Sequence, residues 1–208
     1  MLKIKLTKGE LKRQRDALKQ FERYLPTLLL KKQQLQLEIL HQLTALHEKM
    51  ALEAKMRNAA SGWAGLLAEP GIDIKRWASP QETITGTRNI AGTDIPVFVR
   101  AEFKPADYDL FITPLWVDAA VEELKNLAAL IQEVRVIKKG IELLRHELRI
   151  TTQRVNLFEK IKIPEAREAI RLIKIYLGDQ MTNAVGRSKI AKRKIEAYQE
   201  ASLATANS

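Results

Sequence analysis

The chain's three histidines are His41, His47 and His146. His41 and His47 stand six residues apart, a spacing that does not put two side chains on one helix face. His47-Glu48 begins like the H-E-x-x-H zinc-protease pattern, but Ala51 occupies the position the second histidine must fill. Glu122 and Glu123 are adjacent. On a helix they point to different parts of the surface and read as a solvated face, not a general acid/base pair. Gly186-Arg187-Ser188-Lys189 has a superficial look of a phosphate loop, yet it lies in a helical repeat that follows no strand, and no G-x-x-x-x-G-K-[ST] run exists. With no cysteine, disulfides and thiolate metal sites are excluded, which fits a cytosolic protein. Trp63, Trp77 and Trp116 gather around a turn-rich region and read as packing for a small core there, not as a ligand cage. The expectation is therefore no catalytic residue, no metal site and no cofactor.

The charge is more informative. Lys and Arg outnumber Asp and Glu by 35 to 25, for a net charge of +10. Residues 1–32 hold ten of the cations and three acids, residues 185–208 hold five and two, and the stretch between is neutral. The candidate surface is thus a basic one built from Lys8, Lys12, Arg13, Arg15, Lys189, Lys192, Arg193 and Lys194. Three readings fit it: a solvated helix end, an electrostatic footprint for nucleic acid, or a plug for an acidic protein socket. Only Phe21 and Tyr24 supply aromatic rings nearby and no base-reading fold is visible, which argues against nucleic acid.

The elements that carry these residues are mostly helical. Hydrophobic residues make up 46%, charged residues 29% and aromatics 6%, with 9 Gly and 7 Pro, a balance typical of long helices and coiled coils. Thr7-Lys8-Gly9-Glu10 fits a capping box, with Leu6 and Leu11 as its staple. Apolar residues then recur in steps of three and four at Leu11, Leu18, Phe21, Leu25, Leu28, Leu35, Ile39, Leu43, Leu46 and Met50, continuing through Leu52, Met56, Ala59, Trp63 and Leu66 to a stop at Pro70-Gly71. Some 60 residues of helix would extend roughly 90 Å. Pro26 interrupts this stretch and predicts a kink or a break. Residues 83–90 and 95–103 are rich in β-branched and aromatic side chains around a turn at Ala91-Gly92-Thr93-Asp94, which predicts a β-hairpin, with Pro96 at an edge. A second helix opens with Thr113 as N-cap and Pro114 as first helical residue. Its seam runs from Val117 through Val121, Leu124, Ala128, Ile131, Val134, Ile137, Ile141, Leu144, Leu148, Thr151 and Val155 to Phe158. Pro164 interrupts, and the pattern resumes at Ile170, Ile173, Leu177, Met181, Ala184, Ser188, Ala191, Ile195 and Tyr198, with a frayed end from Ala201.

Each long helix has one apolar stripe, and pairing within the chain buries both. The fold class expected is mainly α: a long antiparallel two-helix coiled coil with a small β-hairpin-containing insert. Its parts are an N-terminal helix over 1–69, a turn-rich insert over 70–112 and a C-terminal helix over 113–208, all in one extended domain. The pairing puts both basic termini at one tip. A register with Thr7 beside residue 199 would set Pro26 opposite the neighbourhood of Gly178. The first six residues lack an apolar core for a signal peptide. No run approaches 18 uninterrupted apolar residues, so a membrane would be reached through partners.

The chain resembles the D-subunit family of the V-type (A/V-type) ATP synthases, in a bacterial branch. The likeness is carried by Leu6-Thr7-Lys8-Gly9-Glu10-Leu11, by Glu22-Arg23-Tyr24-Leu25-Pro26-Thr27-Leu28-Leu29-Leu30-Lys31-Lys32, by Arg154-Val155-Asn156-Leu157-Phe158-Glu159-Lys160 with Ile163-Pro164 after it, and by Lys189 to Ile195. Of these, Arg154, Val155, Asn156 and Pro164 are the most specific. Much of the family has Arg-Gly where Tyr24-Leu25-Pro26 stands here, a second lysine at Gln33, and Ala-Leu for Leu157-Phe158.

The resemblance implies a central-stalk rotor shaft without catalytic residues, which transmits torque between a membrane ring and a catalytic hexamer and couples ATP synthesis or hydrolysis to proton or sodium transport. The implied partners are the A and B subunits at the basic tip, the F subunit alongside, and the C (or d) subunit at the ring end. The place implied is the cytoplasmic side of the membrane, as a peripheral part of the complex. The alternatives are a non-rotary coiled-coil adaptor and a nucleic-acid-binding protein using the basic tip.

Overall fold

The computed structural model describes residues 5–65, 74–105 and 113–206. It is mainly α-helical, with one two-stranded antiparallel sheet. In order come α1 (Lys8–Ser61), α2 (Ile74–Ala78), β1 (Pro80–Ile90), β2 (Thr93–Phe103), α3 (Trp116–Leu157), a π turn (Phe158–Lys162) and α4 (Ile163–Ala206). Pro70-Gly71 and Leu66 lie outside the described residues. By contacts the chain divides into two compact units, one joining Met1–Leu28 with Arg154–Ser208, the other formed by Leu29–Gln153.

In the Leu29–Gln153 unit α1 and α3 run antiparallel. Leu35, Ile39 and Leu144 form one buried cluster with Ile95 of β2, and Leu46, Val134 and Ile141 form a second. Burial of these stripes is the main favourable term. The Lys31 ammonium donates to the Glu147 carboxylate at 2.7 Å and Lys49 to Glu133 at 2.9 Å, and these pairs fix the register from the seam's rim. Both are half-exposed, so each contributes about 1 kcal/mol at most. Past Leu46 the stripe turns outward, and Met50 and Leu52 are exposed.

The hairpin lies against this pair. Its turn has two residues, Ala91 and Gly92, both with positive φ (50° and 78°), where four were expected. That two-residue geometry matches the twist of the strands. It is locked by Asn89, whose Oδ1 accepts from the Gly92 amide at 3.1 Å and whose Nδ2 donates to Asp94 at 2.6 Å. Ile95 enters the helix seam beside Gly140, and a Cβ built at Gly140 would stand 3.8 Å from the Pro96 carbonyl. The strand backbone therefore crosses α3 closely there. At the base of the insert Ile74, Val117 and Val121 are buried with Trp77 and Trp116 packed against them. Trp63 instead donates its Nε1 hydrogen to Glu123 at 3.0 Å.

Several local expectations shift. Thr7 does cap α1, accepting from the Glu10 amide at 3.3 Å, but the Glu10 carboxylate turns to Gln14 and Arg13 and does not reach back. The box is half-made because a long polar side chain one turn on competes for that carboxylate. α1 passes through Pro26 without breaking. α3 begins at Trp116, after a turn in which the Val117 amide bonds the Pro114 carbonyl. α4 stays helical to Ala206, beyond the fraying expected at Ala201.

Leu144 is fully buried. Leu144→Ala is expected to cost about 2–5 kcal/mol in chemical denaturation, against about 1 kcal/mol or less for Lys31→Ala. Equal costs would show that the rim, not the seam, holds the pair.

Candidate functional site

The basic residues lie in the unit that joins the two chain ends. Here the Phe21 and Phe158 rings meet at a tilt of 38° with centroids 5.2 Å apart, and Arg167 donates to Glu22 at 2.8 Å. Carried along antiparallel helices of equal rise, these contacts set Thr7 opposite residues of roughly 172–182. They set Pro26 opposite roughly 153–163. The expected register, with Thr7 beside residue 199 and Pro26 facing Gly178, is therefore wrong by several turns. Seam periodicity constrains phase but not sliding, and both stripes repeat too evenly to mark a unique offset.

The corrected register changes the shape of the basic surface. Lys8, Lys12, Arg13 and Arg15 are exposed on the first turns of α1. Lys189, Lys192, Arg193 and Lys194 fall on the part of α4 that continues past the start of α1, about 10–33 Å farther along. The two clusters are thus offset along the axis and do not share one level. From Gly178 to Ile195 every residue is exposed, including Met181 (57%), Val185 (56%), Ile190 (59%) and Ile195 (58%). Met181, Ala184, Ser188, Ala191 and Ile195 continue the seam's three-and-four spacing with no charge on it. Lys189 and Arg193 stand on the opposite face. The result is a helix with cations on its flanks and back and a narrow uncharged stripe. Tyr198 lies where no side chain is described.

The electrostatics are those of an open surface. An open groove of about 480 Å³ along Gly9, Lys12, Arg13, Asp16, Ala17 and Gln20 mixes both signs of charge and is too shallow to exclude water from a reaction. Farther along α4, Arg171 donates twice to Glu168, at 2.6 and 2.9 Å. That hydrogen bond holds the Glu168 carboxyl below the usual carboxylate range and raises Arg171. Among the described residues no group of three or more His, Cys, Asp and Glu could hold a metal ion. No described helix is long and apolar enough to cross a membrane.

The remaining motif residues divide by face. Val155 is buried in the seam, Arg154 and Asn156 point outward, and Pro164 is exposed just after the π turn. One surface was missed in the sequence. On the outer face of α1, Leu30 (56% exposed), Leu37 (59%) and Leu40 (60%) stand with Gln33, Gln34 and Thr44, with no acid, lysine or arginine among them. The signal was present as leucines off the seam's spacing, but only burial separates an outer leucine from an inner one.

Comparison with known proteins fits this geometry. Residues 10–193 match the family model for the D subunit of ATP synthase. The D subunit of the V-type ATP synthase of Borreliella burgdorferi is 47% identical over 92% of this chain and 95% of its own length. The proteins of that name in Chlamydia muridarum and Chlamydia pneumoniae are 33% and 34% identical, over 95% and 94% of this chain and 98% and 94% of their own lengths.

Residues 178–195 of α4 are all exposed, and an exposed helical stretch with little buried surface is the easiest to open locally. Limited trypsin digestion is expected to cut first between Arg187 and Lys194. First cuts between Lys125 and Arg149 would contradict the exposed extension of α4.

Proposed function

We propose a mechanical role for this chain, which belongs to the D-subunit family of the ATP synthases: it is the rotor shaft in the central stalk of a V-type ATP synthase. The observation that carries this reading is the extension of α4 beyond its partner helix, basic on its flanks and back and uncharged along one narrow stripe. Such a helix suits a socket with acidic walls and an apolar floor, where charge steers entry and sets orientation. We assign that socket to the central hole of the hexamer of A and B subunits. The contacts would come from Lys189, Lys192, Arg193 and Lys194 first, with Lys8, Lys12, Arg13 and Arg15 lower on the shaft.

The chain contributes no catalytic residue. It carries torque between the hexamer and the ion-translocating ring, so ATP synthesis or hydrolysis is coupled to proton or sodium transport. The F subunit lies alongside, on the uncharged outer face of α1 around Leu37 and Leu40. The C (or d) subunit receives the end near Trp77 and Trp116. The whole is held peripherally on the cytoplasmic side of the membrane. Torque transfer needs a pair of helices that do not slide, and the buried Leu35–Leu144 seam with its rim pairs Lys31–Glu147 and Lys49–Glu133 supplies that resistance.

Affinity purification of the tagged full chain from its native cells tests the reading. The A, B and F subunits are expected to be retained. Changing Lys189, Lys192 and Arg193 to Glu should lower retained A and B roughly tenfold and leave F in place. Leu37→Asp with Leu40→Asp should do the reverse. Recovery of nuclease-sensitive nucleic acid without A or B would favour the nucleic-acid alternative. A stable complex lacking any ATPase would favour the adaptor.

A further inference from the structure

The sequence seam contains one step that a regular helix does not allow. In α3 the seam positions advance by fours and threes through Leu144, half-buried Leu148, Thr151 and Val155, and in α4 they do so again through Ile163, Ala166, Ile170 and Ile173. Between Phe158 and Ile163 the step is five. The structure absorbs it as the π turn Phe158–Lys162, closed by the Ile163 amide donating to the Phe158 carbonyl. None of the five residues in that turn is buried, and Ile161 is 46% exposed. Pro164 follows at once and removes another backbone donor.

The facing stretch of α1 carries its own defect. Pro26 lies inside the helix and leaves the Glu22 carbonyl without its usual amide partner. The Thr27 hydroxyl donates to the Tyr24 carbonyl at 2.8 Å, a different carbonyl, so the bond lost at Glu22 is not replaced there. Within the turn itself the helices meet through the tilted Phe21–Phe158 ring contact and the exposed Glu22–Arg167 pair, while Val155 and Ile163 are buried on either side of it.

A single defect in one helix of a pair is splinted by the intact backbone beside it. Here the two defects lie within about two turns of each other across the pair. We propose that Pro26 and the π turn with Pro164 form a joint, at which both helices of this unit open and bend together. Bending concentrates there because backbone hydrogen bonds are missing on both sides and no residue of the π turn itself is buried. The inference concerns the chain by itself and does not depend on the rotor reading.

Amide hydrogen exchange on the purified full chain, read by mass spectrometry, tests it. Amides of 158–163 and 20–28 are expected to exchange at least about tenfold faster than those of 144–153 and 166–174. The decisive variant is Pro26→Ala, at an exposed position where nothing in the seam is disturbed. It is expected to slow exchange severalfold in 20–28 and, across the pair, in 158–163 also. An effect confined to 20–28 would overturn the joint and leave two independent weak points. Exchange at 158–163 no faster than in its flanks would overturn it as well.

Discussion

A helix with one apolar stripe has one narrow face to bury, and everything else in this fold follows from how that face is covered. Leu35, Ile39 and Leu46 of α1 close on Val134, Ile141 and Leu144 of α3, a band only one or two side chains wide. Such a band leaves most of each helix in water, so the sequence is rich in charge and short of aromatic rings. The hairpin reinforces the band at one point, where Ile95 joins the Leu35–Leu144 cluster and the strand crosses Gly140.

The same constraint gives meaning to the places where the band stops. α4 continues past the start of α1 with its stripe uncovered, from Met181 to Ile195, and its cations point elsewhere. Apolar surface left open costs free energy on its own. It is retained where another surface covers it. The outer leucines of α1, Leu30, Leu37 and Leu40, present the same situation on a second face. A component of a larger assembly has reason to keep both.

Much of this was legible in the residues. Thr7, the three-and-four spacing of both stripes and the β-branched runs around Gly92 locate the helices and the hairpin because each is a local signal. The offset between the helices was not legible, since two evenly repeating stripes fit at many registers and only contacts such as Glu22–Arg167 choose one. That error moved the basic residues: what reads as one tip is two clusters spaced along the axis. The π turn could have been found, because the five-residue step from Phe158 to Ile163 is visible once Ile163 and Ala166 are counted in the seam. Pro164 obscures it, because a proline one residue past Ile163 reads as the end of the seam. The turn at Ala91-Gly92 was placed but overlong, as nothing in the sequence shows that Thr93 already pairs with Ile90.

The central claim is that this chain turns within a catalytic hexamer. The chain has no cysteine, so one introduced at exposed Thr87 gives a unique attachment point for a bead. With the A and B subunits assembled around the chain and fixed to a surface, the bead is expected to rotate in one direction, in steps, when ATP is added. A stationary bead on complexes that continue to hydrolyse ATP would contradict the account.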